Sequence, residues 1–169
     1  MKTYRLHGFT LLELMATLGV LGILMAVAIP NMGQFVKNER LTSFSNSLLS
    51  DLMLARSKSV ELNQSVIVCA SSDEENCTGG SYEDGWIVTI DSDGDGTGDE
   101  LIKVQQAIPG NIEFNLNDPI LSSIVFDSRG FTPDTIGTIS ICDDRGDDHA
   151  KALTISRTGR VSRGADPSC

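Results

Sequence analysis

The sequence predicts an α+β chain: one long N-terminal helix, transmembrane in its first half and amphipathic in its second, packed on an antiparallel β-sheet head. Three patterns carry this. Residues 9–29 are an almost unbroken apolar run. Residues 41–62 then space their apolar side chains three and four apart, which lines one helix face. From residue 65 onward short β-branched runs of period two alternate with Gly, Asp, Asn and Ser clusters, the pattern of strands and turns.

Residues 1–8 form a polar leader with Lys2 and Arg5. The run from Phe9 to Ile29 makes roughly 31 Å of helix at about 1.5 Å per residue, enough for a hydrocarbon core of about 30 Å. The leader's cations hold it on the cytoplasmic side and direct the rest of the chain across the membrane. Glu13 is the single carboxylate in this run, and a charge at membrane depth is costly and marks function. Ala26-Val27-Ala28 also fits the cleavage site of an ordinary secretory signal. The early Glu and the length of the run argue for a retained anchor instead.

Beyond Pro30 the stripe Leu41, Phe44, Leu48, Leu52, Ala55, Ser59 and Leu62 continues the helix, with Arg40, Asn46, Asp51, Lys58 and Glu61 largely off it. A helix is expected over 10–62, weakened near Pro30 and Gly33 and ended by Asn63-Gln64. Strands are expected at 65–69, 86–90, 101–105, 111–114, 123–126, 138–142 and 152–156. Trp86, Val88, Ile90, Phe114, Phe126 and Ile141 are the expected core facing the stripe. The domains are then a leader (1–8), a transmembrane helix (9–29), an amphipathic helix (30–63) and a β-rich head (64–169) that packs with residues 38–63 as one domain.

The chain has 169 residues, with 13 Lys and Arg against 23 Asp and Glu and a net charge of −10. Loss of residues 1–8 would remove Lys2 and Arg5 and make it more acidic. Such a surface discourages nonspecific binding to nucleic acid or anionic lipid. The four cysteines are Cys69, Cys77, Cys142 and Cys169. In an exported chain an even number suggests disulfides, and three pairings are possible. Cys69–Cys77 and Cys142–Cys169 are preferred, because each closes a loop-rich segment. The zinc alternative lacks a Cys-x-x-Cys pair, and His149 is the only histidine outside the leader. No Ser-His-Asp or Cys-His set points to an enzyme.

The string Gly8-Phe9-Thr10-Leu11-Leu12-Glu13 resembles the class III signal of type IV pilins and pseudopilins. The resemblance implies cleavage between Gly8 and Phe9 by a prepilin peptidase and N-methylation of Phe9. Glu13 would meet the Phe9 amine of a neighbouring subunit in a fibre. Ala55 to Asn63 followed by Val66-Ile67-Val68-Cys69, Gly85-Trp86-Ile87-Val88 with Asp91, Phe126 with Gly130-Phe131-Thr132, and Ile155 through Gly159-Arg160-Val161 resemble, in order, the blocks of the GspH/FimT family. Membership implies a minor type IV pilin that primes or tips a pilus. Its partners would be other minor and major pilins and the inner-membrane assembly platform. The protein would be a single-pass inner-membrane protein with a periplasmic head, carried to the pilus tip on assembly. The alternative within the family is the H pseudopilin of a type II protein secretion system. No cofactor is required by either role.

Two segments are candidate binding sites. Asp91, Asp93, Asp95 and Asp99 occupy calcium-ligand positions of an EF-hand-like loop, with Gly96 at the sharp turn, but Ile102 stands where the bidentate Glu belongs. The competing reading is a solvated acidic hairpin. Arg157, Arg160 and Arg163 form a basic set near the C-terminus, with Arg145 and Lys151 as further candidates. Gly159-Arg160-Val161-Ser162-Arg163 resembles, with one extra residue, the Gly-Arg motif by which FimT-type pilins are thought to contact DNA. Against it stand the aspartates at 143, 144, 147, 148 and 166, which would partly cancel the field, and no aromatic stacking platform accompanies the arginines. The competing reading is a solvated turn.

Overall fold

The computed structural model describes residues 9–164 and 166–169, with backbone alone at residues 30 and 31. Its first element is α1 (Leu11–Leu62), which contributes to two compact units, Met1–Asn38 and Glu39–Cys169. Thr10 starts the helix: its Oγ1 accepts from the Glu13 N–H at 3.2 Å and its carbonyl from Leu14 N–H at 3.1 Å. This hydroxyl satisfies a donor that the first helical turn otherwise leaves orphaned. Helix continues without interruption through residues 30 and 33, where the sequence predicts a weak point. In this first unit the large apolar side chains from Leu11 to Phe35 are exposed.

The second unit adds eight strands. They are β1 (Ser65–Ala70), β2 (Gly85–Asp91), β3 (Glu100–Gln106), β4 (Glu113–Leu116), β5 (Ser123–Phe126), β6 (Gly137–Cys142), β7 (Lys151–Ile155) and β8 (Val161–Gly164). They make two antiparallel four-stranded sheets, ordered β3-β2-β1-β5 and β4-β6-β7-β8. Leu41, Leu48, Leu52 and Ala55 of α1 are fully buried in one core with Val66, Val68, Trp86, Val88, Phe126, Ile139, Ile141 and Leu153 from both sheets. Burial of each such side chain is worth roughly 1.5–3 kcal/mol, so this face of the helix is fixed by packing rather than by propensity.

β1 is buried on both faces. A second cluster of Ile67, Cys69 and Ile87, with Cys77, Val104 and Val125 against it, covers the side of the sheet away from the main core. That is why residues 66–70 read as a continuous apolar run and not as an alternation. Disulfides join Cys69 to Cys77 and Cys142 to Cys169, so none of the four cysteines is free to hold zinc.

The structure departs from the sequence expectations at further places. β4 begins at Glu113 rather than at residue 111. β8 is an additional strand, unreadable because Val161 is its only large apolar residue. Leu62, at the helix end, is 39% exposed. Asp51, expected off the apolar stripe, is fully buried.

Candidate functional site

The N-terminal site is built on the apolar helix. Glu13 lies in the first turn of α1 and shares a shallow groove with Ala16, Thr17, Val20, Leu21 and Leu24. A carboxylate there is one turn from the helix start, where the macrodipole favours negative charge. Phe9 is exposed. Gly8, and with it the expected cleavage junction, lies outside the described residues, as do Lys2 and Arg5.

The basic site is partly rearranged relative to the sequence expectation. The turn between β7 and β8 closes through Gly159 N–H to the Ser156 carbonyl at 2.8 Å. Arg157 and Arg160 are exposed on this turn and make no ion pair among the described residues. Arg163 stands three residues on, about 10 Å away along an extended chain. It donates to Asn46 Oδ1 of α1 at 2.9 Å, in a groove also lined by Ser45 and Lys151. The structure therefore groups Arg157 with Arg160 and commits Arg163 to the helix. Arg145 is nearly buried against Asp143, 2.6 Å away, which leaves it off any open basic face.

The turn that carries Arg157 and Arg160 is held against a second loop by backbone hydrogen bonds. Thr132 N–H donates to the Arg157 carbonyl at 3.0 Å, and Thr132 Oγ1 to the Ser156 carbonyl at 2.7 Å. This brings the 127–132 loop against the turn. Arg56 of α1 ties both together, donating to the Gly130 carbonyl at 3.1 Å and the Thr158 carbonyl at 3.0 Å. Phe131, 43% exposed, stands on that loop with the Arg129 guanidinium 5.4 Å above its ring. Gly159 is required here: φ is +70°, and a Cβ would collide with the Gly130 carbonyl oxygen. Nearby Asp127 is pulled two ways. Burial raises its pKa, but the Phe131 and Arg129 N–H groups and the Arg129 side chain outweigh this and hold it below the ordinary carboxylate range.

In the acidic loop Asp91, Asp93 and Asp99 converge, with one oxygen of each within 4.8 Å of the others. Asp95 turns away to Thr97, accepting from its N–H at 2.7 Å and its hydroxyl at 2.6 Å. The loop's own donors already engage the cluster. Asp91 accepts from Gly94 N–H at 2.8 Å and Gly96 N–H at 3.2 Å, and Asp99 from the Ser92 N–H at 2.7 Å and the Ser92 hydroxyl. The Ser92 hydroxyl and N–H lower the pKa of Asp99, as those of Thr97 lower that of Asp95. A cation at this loop would compete with these bonds.

Sequence reasoning missed the buried polar centre of the head. Asp51 on α1 accepts from Trp86 Nε1 of β2 at 2.9 Å and from Lys103 Nζ of β3 at 2.5 Å. Trp86 packs edge-on to Tyr82 and Phe114, each with centroids 6.1 Å away. The Tyr82 hydroxyl donates to the Leu121 carbonyl at 2.7 Å. The available signal was position: Asp51 follows Leu48 by three and precedes Ala55 by four, inside the stripe.

An exposed apolar helix with one carboxylate in its first turn, carried by a disulfide-bonded head of two sheets, defines a membrane-anchored protein of the pilin class. Residues 5–29 match the prokaryotic N-terminal methylation motif, and residues 45–159 match the model described as type II transport protein GspH. The chain belongs to the GspH family of minor pilins and pseudopilins, a family of structural proteins. Two crystal structures of the type IV minor pilin FimU from Pseudomonas aeruginosa strain PAO1 share the fold. One, in space group P21, is 20% identical with a TM-score of 0.62 over 78% of this chain and 92% of that one. The other, in P65, is 20% identical with a TM-score of 0.59 over 74% and 93%. No curated protein sequence matches the chain.

Proposed function

We propose that this protein is a minor type IV pilin that primes assembly of a pilus and sits at its tip. The carrying observation is the pairing of a methylation motif with Glu13, a lone carboxylate in a helical segment, Leu11 to Phe35, whose large apolar side chains the chain itself leaves exposed. A protein built to stay alone in lipid has no use for that carboxylate, because an uncompensated charge there is costly. A subunit that joins a helical bundle has a use, because the amine freed at Phe9 supplies a partner. On this reading a prepilin peptidase cuts between Gly8 and Phe9 and the new amine is methylated. The head stands in the periplasm, and the partners are other minor and major pilins and the inner-membrane assembly platform. The test is a deletion strain scored for surface pili and for type II secretion, complemented by wild type and by Gly8→Ala. Loss of pili with secretion intact, and uncut precursor from Gly8→Ala, are expected. Loss of secretion with normal pili would make it the H pseudopilin instead.

A second role, DNA contact during uptake, is favoured by Arg157 and Arg160, exposed together on one turn with no ion pair among the described residues. Such a turn grips phosphates without reading sequence. Duplex binding by the purified protein over a salt series tests it. The Arg157→Ala/Arg160→Ala variant is expected to abolish salt-sensitive binding, and Arg163→Ala to weaken it less, since Asn46 already holds that side chain. Equal losses in the two variants would contradict this assignment.

A further inference from the structure

The chain carries two asparagines in the Asn-x-Ser/Thr form of an N-glycan acceptor, each with a glutamate two residues before it. They are Glu61-Leu62-Asn63-Gln64-Ser65 and Glu74-Glu75-Asn76-Cys77-Thr78. As sequence they are equivalent. The structure separates them. Asn63 ends α1 at φ 55°, Gln64 N–H closes the last turn on the Ser59 carbonyl at 3.3 Å, and Ser65 is already paired with Asp91 in the β1–β2 ladder. Presenting Asn63 together with Ser65 to an enzyme would unwind the helix end and pull β1 away from β2. Asn76 and Thr78 lie exposed in the loop between β1 and Tyr82, outside any helix or strand. Asn76 Nδ2 donates to Asp73 Oδ2 at 3.0 Å, and Thr78 Oγ1 accepts from Ser72 N–H at 3.0 Å. Both bonds are open to solvent and exchange readily for water.

We propose that Asn76, and not Asn63, is an N-glycosylation site that takes an oligosaccharide from a polyprenyl-diphosphate donor on the periplasmic face. The proposal rests on the reading that the head is periplasmic. In the transfer the Asn76 Nδ2 attacks the anomeric carbon and a C–N bond forms. The anomeric C–O bond to the diphosphate breaks and its electron pair leaves with the lipid diphosphate. The amide proton passes to a carboxylate base of the transferase. Cys77, the middle residue, is bonded to Cys69, which tethers the acceptor segment to β1. Transfer is therefore favoured before that disulfide closes, and Cys69→Ser raises the occupied fraction.

The test is peptide mass spectrometry of the full chain purified from its own host's membranes, with the redox state of Cys142–Cys169 read in the same sample as a report of export. A glycan mass on Asn76 and none on Asn63 is expected. It should vanish in Asn76→Gln and in Thr78→Ala and persist in Asn63→Gln. A bare Asn76 on an oxidised, exported chain overturns the glycosylation site and leaves the periplasmic reading standing. A bare Asn76 on a reduced chain overturns both. A glycan on Asn63 overturns the structural selection between the two acceptors.

Discussion

Truncating Asp51 and neutralising it have different consequences, and the difference reveals what the residue does. Asp51→Ala leaves the Trp86 Nε1–H buried without an acceptor, and a hydrogen bond to a charged group is worth about 1.5–3 kcal/mol. Asp51→Asn keeps an acceptor for Trp86 and loses only the charge opposite Lys103. The Lys103 side chain is 43% exposed, so that pairing is screened and worth about 1 kcal/mol or less. Urea unfolding should therefore rank wild type, Asn and Ala in falling order, with the larger step at Ala; an Asn variant as unstable as Ala would mean the charge, not the acceptor, is what matters. Asp51 also marks a limit of pattern reading. Period and spacing locate a helix face from its apolar members and exclude a carboxylate by type, whereas burial here is decided by Trp86 and Lys103 arriving from strands far along the chain. A second residue-scale prediction concerns acid. The Asp127 pKa is depressed in the folded state, so its contribution is present above the unfolded value near 4 and is lost as pH falls through the folded one. Unfolding measured at pH 7 and pH 3 should show wild type losing stability between them, and Asp127→Asn should lose less of it while being weaker at pH 7.

Among the elements, those legible in the sequence are those whose burial is one-sided or complete. The α1 stripe and the runs at β1, β2 and β5 were readable within a residue or so, because each sets its own period against the core. β8 was not, since it is held by pairing with β7 (Leu153 opposite Arg163, Ile155 opposite Val161), and a ladder leaves no local signature. For the same reason the junction between the turn of Arg157 and Arg160 and the 127–132 loop was only half readable. Its arginines stand in one motif, but the loop is held to their turn by Thr132 and Arg56. The two disulfides permit a graded test at this scale. They span sequence separations of 8 and 27 residues, and the chain-entropy relation assigns them about 2.6 and 3.6 kcal/mol respectively. Cys142→Ser should lower the midpoint of thermal unfolding more than Cys77→Ser under oxidising conditions. The reverse order would mean that the cover Cys77 gives Ile67 and Ile87 outweighs loop closure.

At the level of the whole molecule the chain divides its labour. The head from Glu39 onward closes its own core, whereas the segment from Leu11 to Phe35 leaves its apolar surface wholly unburied. On the proposed reading lipid satisfies that surface before assembly, so anchoring needs no carboxylate, and Glu13 is a liability that a fibre partner removes. This separates two activities in one variant. Glu13→Leu should be inserted, processed at Gly8-Phe9 and stably folded in its head, because none of these steps uses the carboxylate and the substitution makes the span more apolar. It should nevertheless fail to support pili, since the Phe9 amine of a neighbour would be left uncompensated in an apolar bundle, a defect of several kcal/mol at each contact. Glu13→Asp retains the charge but shortens its reach and should give fewer fibres rather than none. The measurements are membrane fractionation and precursor size for the first set, and counts of surface pili for the second. Normal piliation by Glu13→Leu would remove the carboxylate from assembly and with it the main support for reading this chain as a fibre subunit.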